Sequence, residues 1–65
     1  MDFSNKIKEL RLQNDYTQAY VAGQLGIRQS SYNKYEVGRA RPEYENLVKL
    51  AQLYDVTVDF LLENE

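Results

Sequence analysis

Between residues 28 and 41 the chain sets amide, hydroxyl and cationic side chains at helical spacing. Gln29, Ser30, Asn33 and Lys34 are preceded by Arg28 and followed by Arg39 and Arg41. Advancing by about 100° per residue from Gln29 places Asn33, Ser30 and Lys34 at about 40°, 100° and 140°, so the four share one side of a helix. Ser31, Tyr35 and Tyr32 fall at about 200°, 240° and 300°, an opposite side suited to packing. The chemistry open to the first side is recognition by hydrogen bonding. An amide can bond adenine bidentately, a hydroxyl serves several base edges and a lysine favours guanine acceptors, so this face suits the major groove of duplex DNA. An ordinary solvated face has the same composition, and the flanking turn and arginines are what separate the two readings.

Other chemistries are poorly served. The 65 residues include no histidine and no cysteine, which leaves no obvious zinc site, no disulfide and no histidine- or cysteine-based nucleophile, and no glycine-rich loop is present to cradle phosphate. A chain of this length holds one small domain with little room for a substrate pocket. The expectation is a non-enzymatic single domain over 1–65, with no cofactor and no metal. No apolar run approaches the roughly 20 residues that cross a bilayer, and the first residues lack a signal peptide's apolar segment. A cytoplasmic protein with no membrane partner fits best.

The formal net charge is −2, and the isoelectric point of about 5.0 would argue against a nucleic-acid partner if the sum decided the matter. The distribution argues otherwise. Residues 1–27 balance, whereas residues 28–41 hold Arg28, Lys34, Arg39 and Arg41 against Glu36, a local excess of +3. From 42 onward Lys49 stands against six carboxylates, a local excess of −5. The basic segment is the same one that carries the polar face.

Five helices are predicted to position it. Phe3, Ile7 and Leu10 recur at helical spacing up to Asn14-Asp15, where turn formers cluster. Thr17 can cap a second helix with Val21, Ala22 and Leu25 on one face, and Gly26 can end it in the left-handed conformation. The third helix is predicted from about Gln29 to Val37, stopped by Gly38. Pro42 favours a new start for a fourth helix with Leu47, Leu50, Ala51 and Tyr54 on its apolar side. Asp55 can terminate that helix, and Thr57 can cap a short fifth one in which Leu61 and Leu62 face the core and Phe60 is left for a neighbour.

The order Thr17-Gln18, Val21-Ala22, Leu25-Gly26-Ile27, Glu36-Val37-Gly38, Pro42, Leu50-Ala51 and Val56-Thr57-Val58-Asp59 resembles the phage repressor and Cro-type helix-turn-helix family. The likeness runs from about Ile7 to Leu62. It implies an all-α, compact five-helix lambda-repressor-like DNA-binding domain with its helix-turn-helix at about 18–37. It also implies sequence-specific binding to double-stranded DNA by a transcriptional regulator, a repressor acting as a homodimer on a pseudo-palindromic operator.

Carried across residue by residue, the resemblance gives base reading to Gln29 and Ser30, with Asn33 and Lys34 later on the same face. It gives backbone contacts to Gln18, Arg28, Arg39 and Arg41, with Gln18 bracing Gln29. Arg11 and Glu36 match a structural ion pair joining the first helix to the end of the third, and Phe60 is the candidate dimer contact. Arg28 stands where relatives commonly carry a serine or threonine cap. Tyr32, Tyr35 and Tyr54 replace more usual aliphatic residues and are expected to pack, while Tyr20 and Tyr44 are less constrained. A protein-interaction or antitoxin-type module on the same fold, with a protein partner in place of DNA, remains the alternative.

Overall fold

Two threonines and four left-handed residues punctuate the chain. A computed structural model describes residues 2–63 and contains α1 (Asp2–Gln13), α2 (Gln18–Leu25), α3 (Gln29–Glu36), α4 (Tyr44–Tyr54) and α5 (Val58–Leu62). Thr17 Oγ1 accepts the Tyr20 N–H at 3.0 Å and Thr57 Oγ1 accepts the Phe60 N–H at 2.9 Å, so α2 and α5 begin on side-chain caps. α1 to α4 are each followed by a residue at positive φ: Asp15 (58°), Gly26 (72°), Gly38 (80°) and Asp55 (55°). The next N–H then reaches back five residues, from Tyr16 to Arg11, Ile27 to Ala22, Arg39 to Lys34 and Val56 to Ala51, at 2.9–3.0 Å. Carbonyls that helix termini would orphan are thereby bonded, and each chain reversal is tight.

Two boundaries and one burial differ from the sequence expectation. α3 ends at Glu36 with Val37 as its C-cap, because the left-handed turn at Gly38 draws Val37 out of helical geometry. Pro42 does not start α4: Glu43 is the N-cap and Tyr44 the first helical residue. Arg28 caps α3 without a side-chain bond, as its long cationic chain offers no acceptor. Leu62 is exposed while Leu61 is fully buried, since adjacent positions on a helix diverge by about 100° and a five-residue helix can turn only one inward.

The core draws on all five helices. Phe3 and Ile7 meet Val21, Ala22 and Leu25, Tyr32 and Tyr35 of α3, Leu50, Ala51 and Tyr54 of α4, and Leu61. Tyr32 is fully buried and meets Tyr35 edge-on, with ring centroids 6.1 Å apart. The expectation that the replaced positions pack is met. Tyr16 lies between Tyr20 at 4.6 Å and Tyr54 at 6.1 Å, extending the cluster to the surface. Among the described residues, the buried hydroxyls of Ser4, Tyr32 and Tyr54 close no hydrogen bond of good geometry, although the Tyr32 hydroxyl lies near enough to Glu36 to favour its ionised form. Burial pushes the Tyr54 phenol up to about 12 and the Tyr32 phenol higher still. Both stay neutral wherever the protein is folded near neutral pH.

Candidate nucleic-acid interface

The turn Gly26-Ile27-Arg28 sets α3 against α2, and the packing of Tyr32 and Tyr35 fixes its rotation. With those two rings inward, Gln29, Ser30, Asn33 and Lys34 are all exposed, as the helical phase predicts. Ser30, Asn33 and Lys34 join Val37 and Arg39 in lining an open groove of about 440 Å³. Gln29 and Arg28 lie at the opposite end of α3, and Arg41 is exposed beyond Arg39. Val37 was missed from sequence. It is 56 % exposed and gives the groove an apolar wall of the kind that meets a thymine methyl group. Its position just before the left-handed Gly38 was the available signal.

Behind this face runs a chain of polar bonds. Arg11 Nε donates to Glu36 Oε2 at 2.6 Å and Arg11 Nη2 to Glu36 Oε1 at 3.1 Å, a bidentate pair whose side chains are only 12 % and 3 % exposed. Arg11 Nη1 also donates to the Tyr16 carbonyl at 3.1 Å. Gln18 Nε2 donates to Glu36 Oε1 at 3.1 Å and to Asn33 Oδ1 at 3.1 Å. The ion pair between α1 and α3 is therefore present as expected. The brace from Gln18 runs to Asn33 and Glu36 instead of Gln29, because the Glu36 carboxylate takes one hydrogen of the Gln18 amide and Asn33 Oδ1 the other.

Electrostatics follow from that geometry. Burial pushes the Glu36 carboxyl up, but the bonds from Arg11 and Gln18, the adjacent Tyr32 hydroxyl and the Arg11 charge outweigh it and hold the group below the ordinary carboxylate range. The Arg11 guanidinium is correspondingly raised, chiefly by its bond to Glu36. At neutral pH the pair is fully ionised, and it ties the end of α3 to α1 and to the start of α2.

Phe60 sits apart from the groove, on α5. Its ring is 40 % exposed and lies 4.9 Å from Lys6 Nζ, whose ammonium also donates to the carbonyls of Phe60 at 2.8 Å and Glu63 at 3.2 Å. Leu62, also exposed, projects about 200° away from Phe60 around α5, on the other side of the inward Leu61. A second groove, about 310 Å³, lies between α2 and α4 along Gln24, Lys49, Gln52 and Leu53. It brings together no acid–base pair. Among the described residues no cluster of carboxylates is placed to hold a metal, and no helix is long and apolar enough to cross a membrane.

A model of the helix-turn-helix family matches residues 7–61. Among curated proteins, the chain is 38 % identical over 63 residues to YqaE, an uncharacterized HTH-type transcriptional regulator of Bacillus subtilis (strain 168), covering 97 % of this chain and 54 % of that one. It is 43 % identical over 61 residues to the HTH-type transcriptional regulator AnsR of the same organism, covering 94 % and 53 %. The cryptic phage CTXphi transcriptional repressor RstR of Vibrio cholerae is 37 % identical over 62 residues, covering 95 % and 56 %. The chain spans about half the length of these relatives. Among solved structures, the P22 c2 repressor protein in complex with synthetic operator 9T aligns with a TM-score of 0.91 over 100 % of this chain and 98 % of that one, at 22 % identity. That last likeness is one of fold.

Proposed function

The chain belongs to the helix-turn-helix family, and from that premise we propose that it binds duplex DNA by sequence, with α3 in the major groove. It serves as the DNA-binding part of a cytoplasmic transcriptional regulator, repressing from a pseudo-palindromic operator as a homodimer. The observation that carries this reading is the joint exposure of Gln29, Ser30, Asn33 and Lys34 beside Arg28 and Arg39, in a chain whose net charge is otherwise acidic. Support comes also from relatives named as transcriptional regulators and a phage repressor, and from a neighbour of the same fold bound to its operator.

Gln29 and Ser30 read base edges, Lys34 seeks guanine acceptors, and Arg28, Arg39 and Arg41 meet phosphates. Both side-chain hydrogens of Gln18 are committed within the protein, so its backbone contact falls to its main-chain N–H at the start of α2. Arg11 and Glu36 position α3 without touching DNA. One recognition helix reads only a few base pairs, so a second copy, docked through Phe60, supplies the other half-site about 34 Å away.

The test is selection from a random duplex pool, followed by affinity against salt. Three phosphate cations per protomer give a log–log slope of about −3 for each bound protomer. Gln29→Ala changes the ranking of sites, whereas Arg39→Ala weakens all sites evenly and reduces the slope by about 1. A folded protein that enriches no motif and binds duplexes without salt dependence refutes the proposal and moves the assignment to a protein partner.

A further inference from the structure

The bonds behind α3 have a direction. Ionised Glu36 is acceptor-only, so the Gln18 amide must turn its Nε2 toward it. The other Nε2 hydrogen then points to Asn33, which must answer with Oδ1. Each amide in the chain is thus set by the one before it, beginning at a carboxylate that is itself clamped by Arg11. The outermost member, Asn33, is exposed and lines the groove with Ser30, Lys34, Val37 and Arg39.

We propose that Asn33 reads hydrogen-bond acceptors, guanine above all, because Glu36 acting through Gln18 holds its Oδ1 and leaves its Nδ2 hydrogens facing the groove. An unconstrained asparagine bonds adenine bidentately, its oxygen taking the N6 amine and its NH₂ donating to N7. Here that oxygen is already held at 3.1 Å. Guanine offers N7 and O6, two acceptors side by side, and Lys34 and Arg39 on the same groove are donors as well. Gln18 is accordingly a positioning residue for base choice although it lies one side chain away from the base.

The inference rests on the DNA-binding reading above, and the experiment separates the two. From the selected operator, the base pair read by Asn33 is the one at which Asn33→Ala loses discrimination. Replacing guanine there by 7-deazaguanine lowers wild-type affinity about five- to tenfold and leaves Asn33→Ala unaffected. Asn33→Asp can still accept the Gln18 hydrogen but now turns an acceptor outward, so its preference moves to cytosine N4. Gln18→Leu, checked for folding by circular dichroism, unlocks the amide. Its guanine-over-adenine preference at that position shrinks several-fold while preferences read by Gln29 hold.

A second readout needs no DNA. In amide NMR both Gln18 side-chain hydrogens exchange slowly and those of Asn33 exchange as a solvated amide. If the Asn33 base pair is adenine and removing its N6 amine costs wild-type affinity, or if the Asn33 hydrogens are the protected ones, this proposal is overturned with DNA binding intact. If the folded protein binds no duplex, the functional reading falls and this one with it.

Discussion

Removing Arg11 should reverse the sign of one part of the protein's pH dependence. In the wild type the Glu36 carboxyl lies below its ordinary value of 4.5. Its contribution to stability is therefore present above about pH 4.5 and is lost as pH falls through the lowered folded value. In Arg11→Met the largest influence on Glu36, burial pushing it upward, is opposed only by Gln18 and the Tyr32 hydroxyl. Burial is then expected to outweigh those two, and the folded value to rise above the ordinary one. A group raised on folding contributes stability that is present below its unfolded value and lost as pH rises through the folded value. Acidification from pH 7 to 5 then strengthens the variant and leaves the wild-type contribution of Glu36 unchanged.

The size of the effect follows from burial. Stranding one partner of a buried pair costs about 3–5 kcal/mol, and the two remaining polar neighbours of Glu36 favour the lower end. At roughly 4–8 °C per kcal/mol for a domain of this size, Tm at pH 7 drops by roughly 12–24 °C. The whole fold has only about 3–10 kcal/mol to lose, so the variant is marginal at neutral pH. Thermal unfolding by circular dichroism between pH 4 and 8 measures this, with Arg11→Met/Glu36→Gln as the control that subtracts every other carboxylate. A loss under about 5 °C at pH 7, or a pH profile of Arg11→Met parallel to that control, refutes the account of the pair.

The remaining perturbations separate stability from binding. Arg28→Ser supplies the acceptor that the start of α3 lacks, so it raises stability by about 1 kcal/mol while lowering affinity for every duplex, as unfolding and salt-titration experiments would show. Asp55→Gly relieves a non-glycine residue held at φ 55° and raises Tm by several degrees, about 1 kcal/mol. Phe60→Lys places a second ammonium against Lys6, which lies 4.9 Å from the ring. Sedimentation then finds a monomer, and operator binding loses its cooperativity between half-sites while single half-site affinity persists.

Features set by neighbours along the chain were legible before the fold was known. Thr17, Gly26, Gly38, Asp55 and Thr57 end or begin helices because capping depends on one residue and the backbone within a few positions of it. The reading face followed from helical phase, since four polar and two aromatic residues separate cleanly over eight positions. The course of Gln18 was not legible. Whether its amide meets Gln29 or Asn33 depends on how α2 crosses α3 and on a carboxylate arriving from the far end of α3. Leu61 turns inward as expected, but the outward turn of Leu62 was missed for a related reason: a five-residue helix has too few positions to define a face. Ser4, buried with Phe3 and Ile7, breaks the hydropathy rule because the turn at Gly38 lies over it, where an added Cβ would stand 3.6 Å from Ser4 Oγ.

These two classes meet at Glu36. The same carboxylate accepts Arg11 from the first helix and Gln18 from the second, so the bond that fastens α3 to the body also sets the amide that α3 shows to the groove. Base choice at Asn33 and stability of the fold are then linked quantities, and substitutions at Arg11 or Glu36 should alter both together. By contrast Gln29, at the far end of α3 and outside this chain of bonds, should change specificity with stability untouched. Measuring the two in parallel for Glu36→Gln and Gln29→Ala distinguishes a recognition helix that is merely carried by its scaffold from one whose outward hydrogen bonds are set by the scaffold's interior.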